Sequence, residues 1–304
     1  MAAYSINQLW DRYFKRSMLM RLILINVVIF LILRILAFLA LFLPINMQAI
    51  MDWLELPSNP VMLIKHPWTL LTYMFTHYSV WHILFNLLWL YWLGQIFLDF
   101  FSHKQLTGLY LLGGWCGAVM FLLACNLLPQ LVSSNHFLIG SSASVLAIVV
   151  ATAMYVPDYR IGLLFFGEVA LKWIALVAVL FTLLTVDRVS LLGGCAAHVG
   201  GAIMGIVFTL CIRRGRDITR PLNAAIDFIL GLFNGRSFTK LRSKRLSNGK
   251  RERANSQGPD HHTVGGVSEA ELDEILKKIK VSGYDALTSE ERDKLFKVSR
   301  DHKS

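Results

Sequence analysis

Long apolar stretches separated by short polar clusters dominate the first two thirds of this chain. Six are long enough to read as membrane-spanning helices: Met18–Leu43, Trp81–Phe101, Gln105–Leu127, Leu138–Val156, Val169–Val186 and Leu191–Ile212. A span needs about 20 mostly apolar residues, and in hydrocarbon only a helix or a closed barrel satisfies its own backbone. The pattern predicts an all-α, polytopic membrane protein. The first run is too long for a signal-peptide core and no small-residue cleavage site follows it, so it reads as a retained span. Arg34 falls well inside that run, where a cation must snorkel, pair or face a polar cavity. The connection from Pro44 to Val80 is long and apolar for a loop, carrying Trp53, Leu54, Leu56, Val61, Leu63, Trp68 and Phe75. It reads either as an ordinary structured loop or as one dipping into the outer interface with its tryptophans at headgroup level. Arg160–Phe166, ahead of the short fifth span, reads as an extended link.

Composition supports the membrane reading: 55% of the 304 residues are hydrophobic and only 16% charged, against about a quarter charged in a soluble domain. Cations flank the spans unevenly. They cluster at Arg12, Lys15 and Arg16, at Lys104, at Arg160 and Lys172, and at Arg213, Arg214 and Arg216, while the opposite loops carry only Lys65 and Arg188. The positive-inside rule then places both termini in the cytoplasm, as six spans require. A short basic amino-terminal segment without a transit peptide fits a bacterial inner membrane. The four cysteines all sit in apolar runs without metal-like spacing, and read as small core residues.

Beyond Ile212 the character changes. Twelve Lys/Arg stand against three acids between Arg213 and Arg253, nearly the whole +10 of the chain. Next to a span, that balance reads as attraction to anionic lipid headgroups and not as a nucleic-acid site. Within it, Ile226, Ile229, Leu230 and Phe233 recur at helical spacing, as in a helix lying on the membrane. Residues 239–267 read as a flexible linker. Ser268-Glu269-Ala270-Glu271 and Thr288-Ser289-Glu290-Glu291 match the capping box. The stripe Leu272, Ile275, Leu276 and Ile279 can meet Leu295 and Phe296 across a turn at Gly283. The chain thus divides into a cytoplasmic segment 1–17, a six-helix domain 18–213, a basic segment and linker 214–267, and a small cytoplasmic helical hairpin 268–304.

Polar residues inside spans are costly, and so point to chemistry. His82 and Asn86 stand at i and i+4 on one face of the second span. The fourth opens Leu138-Ile139-Gly140-Ser141-Ser142-Ala143-Ser144, and the sixth carries Gly194-Cys195-Ala196-Ala197-His198-Val199-Gly200-Gly201 with Gly205 beyond. Each has a structural explanation: an interhelical hydrogen-bonding pair, a small-residue packing face, or a structural or proton-relay histidine. In the topology above, however, these spans all enter from the outer face. Ser142 and His198 then lie within about 10 Å of the start of their helices, level with His82 near the start of its own. Neighbouring glycines let the two helices meet. A serine hydroxyl needs a base, histidine is the natural one at neutral pH, and a tetrahedral intermediate needs donors aimed at its oxyanion. No carboxylate is placed to orient His198, so the set reads as a dyad. No intramembrane aspartate pair and no H-E-x-x-H is present, and His77 and His82, five apart, do not share a helical face. No metal or cofactor is expected.

In these motifs the sequence resembles the rhomboid intramembrane serine proteases. Their H-x-x-x-N, G-x-S-G and A-H-x-x-G patterns read here as His82-Ile83-Leu84-Phe85-Asn86, Gly140-Ser141-Ser142-Ala143 and Ala197-His198-Val199-Gly200-Gly201. The resemblance covers residues from about 18 to 213. It implies a six-helix rhomboid-like bundle with Ser142 as nucleophile, His198 as base, and His82, Asn86 and the Ser142 backbone as the oxyanion site. The implied substrates are single-span membrane proteins. Three positions depart from the pattern: Ala143 replaces a glycine, Leu146 stands where many relatives place an aromatic ring on the histidine, and Trp68-Thr69 occupies the place of a frequent Trp-Arg pair. A catalytically silent rhomboid-like binding or quality-control factor is the alternative, and a transporter is a second one. The oligomeric state is open.

Overall fold

The computed structural model describes residues 17–132, 135–163, 167–184, 191–233, 263–264, 267–282 and 287–301. Arg12, Lys15 and Arg16, the linker 239–262 and the Gly283 turn therefore lie outside the described residues. The described residues fall into two compact units, divided between Ile229 and Leu230.

The first unit is helical. Helix α1 (Met18–Leu39) begins at Ser17, whose hydroxyl accepts the Met20 N–H. The long connection that follows is structured, with short helices α2 (Met47–Asp52), α3 (Pro60–Lys65) and α4 (Thr69–Thr72). A two-residue strand, β1 (Leu56–Pro57), lies between α2 and α3. Tertiary bonds hold this connection in place: Trp68 Nε1 donates to Trp53 O at 2.9 Å, and Thr72 Oγ1 to Leu54 O at 2.8 Å. The Tyr78 hydroxyl donates to buried Glu55, whose carboxyl is pushed above the usual carboxylate range chiefly by burial. Arg34 reaches the Tyr78 carbonyl at 3.4 Å and lies over the Phe30 ring, so the cation inside the first span is used to tie α1 to this connection.

Helices α5 (Val80–Phe100) and α6 (His103–Leu127) follow. A capping box at Ser102 and Gln105 separates them, satisfying orphan N–H groups at the start of α6. After α7 (Pro129–Val132) the chain forms β2 (Phe137–Leu138), antiparallel to β1 through Leu56↔Leu138 and Pro57↔Phe137. Here the structure corrects the fourth span, expected from Leu138. Leu138 is strand, Gly140 takes φ +104°, and α8 runs only over Ser142–Tyr155. At 1.5 Å per residue α8 is roughly 21 Å long, short of a bilayer core of about 30 Å. Its interior position explains why that suffices: every residue from Ala143 to Ala153 is buried, so other helices and not lipid surround it.

Arg160–Leu163 (β3) and Gly167–Ala170 (β4) pair antiparallel, as expected of an extended link ahead of the fifth apolar helix. That helix, α9, covers Leu171–Leu184, and α10 covers Leu192–Arg213. Four described helices (α1, α5, α6 and α10) are long and apolar enough to cross a membrane, while α8 and α9 are shorter apolar helices. The core lies where α6, α8 and α10 meet. Gly201 and Gly205 of α10 lie on the α8 backbone at Ala143 and Ala147, and Gly200 lies on α6 at Cys116. Gly194, expected on this packing face, instead borders open space.

Beyond α10 the chain turns at Gly215 and forms α11 (Arg220–Phe233). The second unit contains the strands β5 (Thr263–Val264) and β6 (Val267–Ser268), then helices α12 (Glu269–Ser282) and α13 (Ser289–Asp301). Thr288 and Glu291 cap α13 reciprocally, as the sequence signature predicts, and Lys278 pairs with Glu291 at 2.9 Å. Ile275 is buried, whereas Leu276 of the expected stripe is 48% exposed.

Candidate active site

Ser142 is the first residue of α8. The first intrahelical bond of that turn runs from Val145 N to Ser141 O, so the N–H groups of Ser142, Ala143 and Ser144 have no partner within the helix. They form the positive end of its dipole. Gly140 makes this possible twice over. Its positive φ is rarely open to other residues, and a Cβ there would overlap the His82 ring. Its N–H donates to Tyr73 O at 2.9 Å, fixing the approach to the helix.

His198 stands six residues into α10. The glycine packing of α10 on α8 sets its Nε2 at 2.7 Å from Ser142 Oγ. Either group can donate in principle; with the imidazole neutral and protonated at Nδ1, the serine hydroxyl donates to Nε2. His198 Nδ1 is buried and bonds no described residue, and no carboxylate of the described residues reaches it. Among the described residues, then, no carboxylate stands behind the Ser142–His198 hydrogen bond.

His82 and Asn86 project from one face of α5, as the i, i+4 spacing requires. Asn86 Nδ2 donates to His82 O at 3.0 Å, and His82 sits against Gly140. These two residues, Ser142 and His198 all line one cavity of about 610 Å³, whose other walls are apolar except for Thr182 and include Trp81, Val149 and Phe181. Leu146, at the position where relatives often place an aromatic ring, is part of the same wall.

The sequence reading weighed His77 only as a metal ligand beside His82 and gave it no part in this site. It is buried in the segment before α5, with Nε2 at 3.3 Å from Asn86 Nδ2, 3.3 Å from Ser141 Oγ and 3.4 Å from Ser141 N. Its ring centroid lies 5.0 Å from that of His82. Because N–H groups face Nε2, that nitrogen is the acceptor and the ring is neutral. Burial, and next the neighbouring His82, hold its pKa down to about 4. Among the described residues no three His, Cys, Asp or Glu side chains gather as metal ligands do.

Comparison with known proteins meets this geometry. The family model described as "Rhomboid domain" matches residues 65–215, the stretch that holds His77, His82, Asn86, Ser142 and His198. The chain belongs to the rhomboid family through this domain. Proteins named rhomboid protease GlpG from Salmonella newport (strain SL254), Salmonella heidelberg (strain SL476) and Salmonella enteritidis PT4 are similar over a shorter stretch. Each is 47% identical over 47 residues, which is 16% of this chain and 17% of the relative. The aligned stretch thus spans about a sixth of those relatives. A rhomboid domain and its apolar helices make this an integral, multi-pass membrane protein.

Proposed function

We propose that this rhomboid-family protein is an intramembrane serine endopeptidase that cleaves transmembrane segments of other membrane proteins. The observation that carries the reading is the 2.7 Å contact between Ser142 Oγ and His198 Nε2 in a largely apolar cavity. The name of the similar Salmonella proteins, rhomboid protease GlpG, agrees with it.

In this reading Ser142 Oγ attacks the scissile carbonyl and its proton passes to His198 Nε2. The oxyanion is held by the Ser142 N–H at the start of α8 and by His82, joined by the Asn86 amide when one of its two N–H groups turns from His82 O or His77 Nε2 toward the developing charge. His198 returns the proton to the leaving amine. A water then repeats the sequence on the acyl-enzyme, with His198 again as base. Neutral His77 positions Asn86 and Ser141 without touching substrate. Both termini lie in the cytoplasm of a bacterial inner membrane, which places the cavity in the outer half of the bilayer.

The test is cleavage of a single-span membrane protein by the full chain in proteoliposomes. Wild type is expected to cleave, and Ser142→Ala and His198→Ala to fall to background. Retained cleavage by Ser142→Ala would overturn the assignment.

A further inference from the structure

After Gly215 (φ +72°) the chain folds back beside the start of α6, and polar side chains fix it there. Asn223 Nδ2 donates to Lys104 O at 3.0 Å, and Lys104 Nζ pairs with Asp227 at 2.5 Å. Buried Thr219 packs on Gly108, where a Cβ would overlap its side chain. Positions 219, 223 and 227 are spaced by four, so a single face makes all three contacts. Gly108 lies within α6, so α11 starts alongside that helix and not past its end.

The opposite face is formed by Pro221, Ala225, Phe228 and Ile229, all exposed; Phe228 is 68% and Ile229 51% accessible. In water an amphipathic helix turns its apolar face inward. Here the polar face is the one bonded to the protein, and the apolar face points away from it. The charges complete the pattern. Arg213, Arg214, Arg216 and Arg220 are all exposed. The two acids of this stretch are engaged: Asp217 accepts from Thr219 N at 2.9 Å, and Asp227 pairs with Lys104. Among the described residues no carboxylate pairs with Arg214, Arg216 or Arg220.

We propose that α11 is an interfacial anchor that lies in an anionic phospholipid leaflet, with Phe228 and Ile229 among the acyl chains and Arg214, Arg216 and Arg220 at the headgroups. A lipid surface satisfies the apolar face and the unpaired cations together. The proposal stands apart from the protease reading and is tested without measuring cleavage.

The experiment uses the full chain with Cys116→Ala, Cys125→Ala, Cys195→Ala and Cys211→Ala, spin-labelled through Phe228→Cys or, in a second variant, Ile229→Cys. It is reconstituted in nanodiscs of phosphatidylcholine with phosphatidylglycerol, and relaxation by oxygen and by a water-soluble nickel chelate is compared. Both labels are expected to be relaxed several-fold more by oxygen than by nickel, with the order reversed for Arg216→Cys. Joint Arg214→Gln, Arg216→Gln and Arg220→Gln, or omission of phosphatidylglycerol, is expected to shift the labels toward nickel. Strong relaxation by nickel at Phe228→Cys and Ile229→Cys would put the face in water and overturn the proposal. Protection from both reagents would mean a protein cover, from a second copy or the chain's own carboxyl-terminal helices, and would also overturn it. Labels that stay deep without the three arginines and without phosphatidylglycerol would overturn its anionic part.

Discussion

Gly201 of α10 lies so close to Ala143 of α8 that a Cβ at position 201 would overlap the Ala143 carbonyl. Ala143 follows Ser142, and Gly201 lies three residues beyond His198, so this backbone contact sets the distance between the Ser142 and His198 side chains. Gly201→Ala must push the helices apart, at an overpacking cost of about 1–3 kcal/mol. Cleavage by Gly201→Ala is expected to fall more than ten-fold, with a lower midpoint of thermal unfolding in detergent. Gly194→Ala, at a glycine bordering open space, is expected to leave both unchanged.

Gly140 gives a second, local prediction. A side chain there meets a positive φ and the His82 ring together, and backbone strain alone costs on the order of 1–3 kcal/mol. Gly140→Ala is expected to lower kcat while the protein still inserts and folds. Circular dichroism and cleavage kinetics on one preparation separate the two effects.

His77 makes the site sensitive to acid. An unfolded imidazole takes up its proton near 6.5, whereas buried His77 stays neutral down to about 4. The unfolded state therefore binds the extra proton first as pH falls, and stability is lost between about 6.5 and about 4. The contribution is complete above that window. Unfolding midpoints measured across it are expected to drop more steeply in wild type than in His77→Gln, which keeps an acceptor but does not titrate.

Removing a donor aimed at a developing oxyanion costs about 10²–10³ in kcat. Asn86→Ala and His82→Ala are expected to lose activity on that scale, with KM changed little. A rise in KM at unchanged kcat would instead assign these side chains to ground-state binding.

Much of this site was legible in the sequence because hydrocarbon makes polar residues expensive. His82, Asn86, Ser142 and His198 stood out against apolar runs, and the structure brings all four to one cavity. His77 did not stand out, since it sits in a connection without periodicity. Its spacing of five from His82 would separate the rings on a single helix. The helix, however, starts only after Ser79, and the turn ahead of it folds the rings together. The start of α8 was hidden for a related reason: Leu138 and Ile139 continue an apolar run, but the pairing of Leu138 with Leu56 links positions 82 residues apart. Such long-range pairing leaves no local mark. The glycines near His198 announced close packing, though not which of them would touch α8.

The most direct measurement is reaction of the reconstituted full chain with a fluorophosphonate probe, followed by mapping of the labelled residue. A nucleophile activated by His198 is expected to carry the label at Ser142, with labelling lost in Ser142→Ala and His198→Ala and unaffected by Ser144→Ala. Label on Ser141 or Ser144, or undiminished labelling of His198→Ala, would contradict the dyad.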